Sequence, residues 1–205
     1  MSQGDGINTA DLFSTKEFFM QVPITEMLKS IPGAIGIRLG EEMKYTVRRE
    51  VGDLEIRHYE PFTLARTFVS GEFDDAMEIG FRHLADFIFG DNEEKIKAHM
   101  TVPVFVDQKD NGWLISFYLG DDGENLTPLD TVVSIEQMPA KDVAVYSYIG
   151  TNSLEKMLDA KDTLLRHVNE AGLVRASSVW WALYDQPVSI PFTKRNEAFI
   201  MIDEA

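Results

Sequence analysis

The chain of 205 residues contains no cysteine. Disulfides, thiolate metal sites and cysteine nucleophiles are therefore excluded. Histidine is scarce: His58, His83, His99 and His167 are the only four, and no two stand at i, i+2 or i+4. A metal site built from local histidines is not expected. Positive charge is outnumbered, with 19 Lys and Arg against 34 Asp and Glu, giving a formal net charge of −15. Such a surface repels phosphate backbones and anionic lipid, and no Lys/Arg run offsets it, so nucleic acid is not an expected partner. No apolar run approaches the length of a membrane span, and the N-terminus has no basic cluster leading into an apolar stretch. Neither a membrane span nor a secretory signal is expected, and the reading is a soluble cytoplasmic protein. The sequence also lacks G-x-S-x-G, H-E-x-x-H, Walker A and Rossmann patterns, so no enzymatic activity is expected.

What is present is ordinary globular material, 44% hydrophobic and 26% charged. That suffices for one domain with a proper core. Residues 1–40 read as an N-terminal extension, partly flexible, with a short helix after the capping pair Ser14 and Glu17 and breaks at Pro23 and Pro32-Gly33. From Tyr45 the pattern sharpens. YTVRREV and LEIRHYE flank Gly52-Asp53, a two-residue hairpin signal, and FTLARTFVSG continues beyond Pro61. In FDDAMEIGFRHLADFIFG, Phe73, Met77, Phe81, Leu84 and Ile88 recur at helical spacing, with Asp74 and Asp75 at the favourable N-terminal end and Gly90 as the stop. TVPVFVD and WLISFYLG flank a KDNG turn.

The same order then recurs. VVSIEQM and VAVYSYI are expected to form a hairpin around Pro139-Ala140, and Asn152 with Glu155 to cap a second helix that ends at Gly172. SVWWALYD and EAFIMID supply two more strands. The expectation is an α+β domain over residues 41–205, made of pseudo-repeats 45–119 and 132–203. Each repeat is a ββαββ unit, and together they form a distorted antiparallel eight-stranded barrel or sheet flanked by two helices. A cleft between the halves is the expected place for a small hydrophobic ligand.

One residue on that scaffold is out of character. In LEIRHYEP, strand alternation puts Leu54, Ile56 and His58 on one face and Glu55, Arg57 and Tyr59 on the other. A histidine on an apolar face either satisfies itself in the core or meets a ligand.

Five segments resemble, in order, the SOUL haem-binding protein family: GIRLGEEMKYTV, LEIRHYEP, GFRHLADFIFGDN, KIKAHMTVPV, and the pair ALYDQP with KRNEAF. The resemblance spans roughly residues 36–203. It implies a duplicated strand-strand-helix-strand-strand fold and binding of haem or a related tetrapyrrole, as carrier, buffer or sensor. It implies further that His58 is a candidate axial iron ligand. By the same resemblance Met77, Phe81, Leu84 and Ala85 on the first helix contact the macrocycle, and Lys194 and Arg195 are candidates for its propionates. Glu78 and Asp86 stand where some animal members carry Arg or Lys, and carboxylates there repel propionates. That departure keeps two alternatives open. One is an effector-binding module, like the gyrase-inhibitor-like domains, for a hydrophobic or cationic aromatic compound. The other is a small hydrolase using Glu78 or Glu197 with Tyr184.

Overall fold

The computed structural model describes residues 41–121, 123–184 and 195–203. The extension over residues 1–40 lies outside them. The described chain begins with β1 (Glu41–Glu42), which pairs in parallel with β5 (Thr101–Val102). The hairpin of β2 (Thr46–Val51) and β3 (Leu54–Tyr59) closes on Gly52-Asp53 as expected. Gly52 has φ +60, a conformation that costs glycine little and other residues more. β4 (Phe62–Ser70) leads into α1 (Phe73–Ile88). Asp74 and Asp75 stand in the first turn of α1, and Gly90, with φ +118, follows its C-cap. β6 (Val104–Lys109) and β7 (Gly112–Leu119) form the KDNG hairpin. β8 (Ser134–Met138), β9 (Lys141–Ile149), α2 (Leu154–Glu170), β10 (Val174–Leu183) and β11 (Arg195–Asp203) complete the chain.

Nine strands form one sheet in the order β2-β3-β9-β11-β10-β6-β7-β4-β8, antiparallel throughout. Register divides their side chains between two faces. One carries Leu54 and Ile56, Ala144, Ala198 and Ile200, Trp181, and Trp113, Ile115 and Phe117. Both helices pack here, α1 on β4 and β7, and α2 on β9, β11, β10 and β3. Phe73 meets Trp113 edge-on at 4.9 Å, and Phe81 meets Phe117 at 5.1 Å. Trp181 is fully buried and its Nε1–H donates to the Met157 carbonyl at 2.7 Å, which ties α2 to the sheet. The opposite face carries Arg57, Tyr59, Phe105, Trp180, Glu197 and Phe199, all buried. Met43 and Tyr45, just after β1, pack against that cluster.

Three expectations need correction. The sheet has nine strands, not eight, and it is not closed: β2 and β8 are edges. Among the described residues β2 has no second partner, and its exposed Arg48, Arg49 and Glu50 are the kind of charge that opposes further pairing at an edge. Second, Pro139-Ala140 does not close a hairpin. β8 pairs with β4 while β9 pairs with β3 and β11, so this link carries the chain from one half of the sheet to the other. Third, the N-cap of α2 is Ser153 with no side-chain cap bond, and Asn152 Oδ1 is buried without a partner.

Candidate functional site

His58 lies on the helix-bearing face, at the end of β3 opposite Asp142. Its Nδ1 stands 2.6 Å from Asp142 Oδ1. Arg48 Nη2 is 2.9 Å from the same ring nitrogen, and Arg48 Nε is 3.2 Å from the same carboxylate oxygen. One nitrogen cannot donate to Asp142 and accept from Arg48 at once. The shorter contact assigns Nδ1–H as donor to Asp142, and the guanidinium belongs to the carboxylate. Nε2 faces Glu60 at 3.8 Å. β3 carries α2, whereas α1 sits on β4 and β7. The structure thus does not bring His58 to the α1 residues with which it was expected to share a cleft.

The expected contact residues of α1 fall in the core. Leu84 and Ala85 have no exposed surface and Phe81 is buried against Phe117, so none of the three presents a face to a macrocycle. The physical reason is periodicity: these positions form the stripe that holds α1 to the sheet. Met77 is half-buried at its margin. Glu78 is exposed and accepts from Arg82 Nη2 at 3.0 Å one turn on. Lys194 lies outside the described residues. Arg195 is already engaged, with Glu42 at 2.8 Å, Glu197 at 2.9 Å and its guanidinium 4.0 Å from the Tyr184 ring centroid.

Arg195 belongs to a buried network on the sheet face opposite α1 and α2, of which sequence reading identified only fragments. Glu197, 1% exposed, accepts from Arg57 Nη1 at 2.8 Å and Nη2 at 2.9 Å in a two-pronged pair, and from Tyr184 Oη–H at 2.7 Å. Arg57 is itself 2% exposed, reaches Glu55 at 2.7 Å and lies 4.1 Å from the Tyr45 ring centroid. Burial by itself pushes the Glu197 carboxyl up. The hydrogen bonds and charge of Arg57, the charge of Arg195 and the bond from Tyr184 outweigh it and hold the carboxyl below its usual range. Burial also pushes the Tyr184 hydroxyl well above its ordinary value, aided by the Glu197 charge. Tyr184 and Glu197 are thus together, as an acid–base pair requires, but Glu78 stands on the outer side of α1 and the pair is enclosed.

An open groove of about 150 Å³ runs along the flank of α1. His83, Asp86 and Phe87 of the helix form one wall, and Leu129, Val132 and Val133 of the segment before β8 form the other. The walls are fastened together. Asn92, fully buried, donates Nδ2–H to the Phe87 and Ile96 carbonyls, both at 2.8 Å, and bridges to Pro128. Glu94 accepts from the Thr127 backbone N–H at 2.9 Å and hydroxyl at 2.7 Å, bonds that lower its pKa. Asp86, Asp91 and Asp130 make the lining acidic. His83 Nδ1 stands 3.3 Å from the buried Thr67 hydroxyl of β4. Sequence analysis assigned His83 no role. The available signal was its position four residues after Ile79 and four before Phe87, together with the apolar Leu129, Val132 and Val133 inside a loop. A second groove, at the β2–β3 turn and the end of α2, is lined by Asp53, His167 and Glu170.

The model of the family described as SOUL heme-binding protein matches residues 40–201. Heme-binding protein 2 of Homo sapiens is 32% identical over 161 residues, covering 73% of this chain and 78% of that protein. Heme-binding protein 2 of Mus musculus is 29% identical over the same extent. Among solved structures, the EcmrR C-terminal domain resembles the chain with a TM-score of 0.57 at 12% identity, covering 80% of this chain and 100% of that one. At that identity the likeness concerns the fold alone.

Proposed function

The chain belongs to the SOUL heme-binding protein family, and from that premise we propose that it binds haem or a related tetrapyrrole, as carrier, buffer or sensor. The observation that carries this reading is the family match across every strand of the main sheet and both helices. When bound, the group supplies a chromophore and an iron centre able to take a nitrogen ligand. The α1 flank offers an imidazole beside the exposed apolar side chains of Leu129 and Val132, but Asp86, Asp91 and Asp130 in the same lining oppose propionates. The groove of about 150 Å³ is below the roughly 300–1,000 Å³ of pockets that engulf a drug-sized ligand, and Phe105, Trp180 and Phe199 fill the sheet face opposite α1 and α2. The role is binding rather than turnover: Glu197, the best-placed carboxylate, is committed to two guanidinium groups.

Titrating the protein with hemin tests this. A saturable Soret change beyond that of an unrelated acidic protein of similar charge supports the reading, and an identical response in both ends it. The carboxylates Asp86, Asp91 and Asp130 favour a second reading, binding of a cationic aromatic compound. A thermal-shift series stabilised by cationic aromatics and not by hemin would select that alternative.

A further inference from the structure

We propose that the edge of β8 and the groove beside α1 together form a docking site for an extended, Lys- or Arg-rich segment of a partner protein, which adds to the sheet at β8 and places one apolar side chain in the groove. The inference goes beyond the tetrapyrrole reading and does not depend on it.

Among the described residues β8 pairs with β4 alone, so its outer backbone groups face no further strand. The other edge, β2, carries the exposed charges Arg48, Arg49 and Glu50. SIEQM of β8 contains no Lys, Arg or Pro, the residues that ordinarily guard an edge. Its one charged side chain, Glu136, is engaged by Arg66 of β4.

The groove lies beside the same edge. Ile135 stands opposite Ala65, and Ala65 opposite Phe117, the ring that Phe81 of α1 meets. Ile135 therefore belongs to the face that carries α1. The helix packs on β4 and β7, and β8 lies beyond β4. Between the helix flank and the segment that enters β8, the groove has Phe87 on one wall and Leu129, Val132 and Val133 on the other. Leu129 is 57% exposed and Val132 44%, so this margin is uncovered. A volume of about 150 Å³ matches one benzene-sized group, the scale of a single side chain. A strand added at β8 turns every second side chain to this face. The loop wall is already fixed, with Asn92 bridged to Pro128 and Glu94 bonded to Thr127, so docking has little left to order there.

Charge selects the partner. Asp86, Asp91 and Asp130 stand in the lining, which among the described residues holds neither Lys nor Arg. They attract a basic segment, and the net charge of −15 steers it towards the surface. A second copy of this chain would set the same carboxylates against their like, which disfavours self-pairing.

The test uses the whole chain and the peptide acetyl-Lys-Lys-Thr-Leu-Thr-Lys-Lys-amide, which sets Leu between two Lys on one strand face. Binding is read by titration of labelled peptide and by hydrogen exchange with mass spectrometry. The peptide should slow exchange over residues 129–138 and leave residues 46–51 unchanged. Replacing its Leu by Ala, or every Lys by Glu, should weaken binding at least about tenfold. Methylating one alternate set of peptide backbone nitrogens should abolish binding and methylating the other should not, since an added strand turns only every second N–H to the edge. The double change Asp91→Lys with Asp130→Lys, checked for fold by circular dichroism, should lose the Lys peptide and take up the Glu peptide. The proposal is overturned if residues 129–138 gain no protection, if residues 46–51 gain as much, or if both methylated peptides bind alike. It is also overturned if residues 129–138 become protected without peptide as protein concentration rises and a dimer appears in sedimentation, because the edge then serves a second copy. None of these results bears on hemin binding, so this proposal and the tetrapyrrole reading fail separately.

Discussion

Replacing Glu197 by Gln keeps the side-chain shape and removes one charge from the centre of the buried network. Arg57 loses the carboxylate that takes both its terminal nitrogens at 2.8 and 2.9 Å, and Tyr184 loses a charged acceptor at 2.7 Å. Removing one partner of a buried ion pair costs roughly 3–5 kcal/mol, because the survivor stays desolvated. The lower end, about 3 kcal/mol, applies because the survivors keep other partners, Arg57 with Glu55 and Arg195 with Glu42. With a urea slope of about 2 kcal/mol/M, the unfolding midpoint at pH 7 drops by about 1.5 M. The sign of the pH dependence follows from the depressed carboxyl. Its stabilisation is complete above the ordinary value of 4.5 and is lost as pH falls from there through the folded-state value. Gln has no such dependence, so the gap between wild type and variant should narrow below pH 4.5 and hold constant above about pH 5.5. The paired change Arg57→Met with Glu197→Met should recover much of the loss, since neither charge is then stranded. A cost below about 1 kcal/mol, or a gap that ignores pH down to 3, would refute the idea that this pair is desolvated and coupled.

Trp181→Phe removes the hydrogen bond to the Met157 carbonyl and part of a fully buried ring, and should cost about 2–4 kcal/mol in urea unfolding. A loss under about 1 kcal/mol would mean that α2 is not anchored there. Burial pushes the Tyr59 hydroxyl up to about 12, and burial raises Tyr148 and Tyr184 further. Ultraviolet titration of the native protein should therefore leave part of the six-tyrosine signal un-ionised at pH 11, and stability should fall as pH rises from 10 towards 12. Simultaneous ionisation of all six near pH 10 in the folded state would contradict this. Asp142→Ala removes the carboxylate that His58 and Arg48 share and should lower the melting temperature by a few degrees, and no change at all would mean that this contact contributes nothing to the fold.

The elements were legible because their signals are local. LEIRHY alternates, α1 repeats its apolar residues at helical spacing, and Gly52, Gly90 and Gly172 mark turns and helix ends through positive φ. Strand partnership was legible only where a short turn dictates it, as at Gly52-Asp53. Pro139-Ala140 looks like a hairpin turn, yet the competition among edges sends β8 to β4 and β9 to β3. Which face meets water is equally non-local. Alternation separates Glu55, Arg57 and Tyr59 from the apolar face of β3 but does not say that Arg57 is buried, which it is because Glu197 arrives from 140 residues away to neutralise it. The α1 groove escaped notice for the same reason. Its second wall is a loop segment, and Asn92 and Glu94, distant from it in sequence, bring that segment to the helix.

These burial patterns decide where a ligand can act. Two helices cover one face of the sheet, and aromatic rings with the Arg57–Glu197 pair fill the other. Opening either face would expose apolar area at about 25 cal/mol per Å², and on the side of the Arg57–Glu197 pair would also strand buried charges. A small ligand lacks the binding energy to offset both costs. Under the tetrapyrrole reading proposed above, contact at a flank such as that of α1, where Leu129 and Val132 are exposed among the described residues, would avoid both costs. A flank site binds without reorganising the core, so occupancy should change the environment of a few side chains and leave the sheet as it is. That is the behaviour expected of a carrier or buffer that takes up its ligand and gives it back.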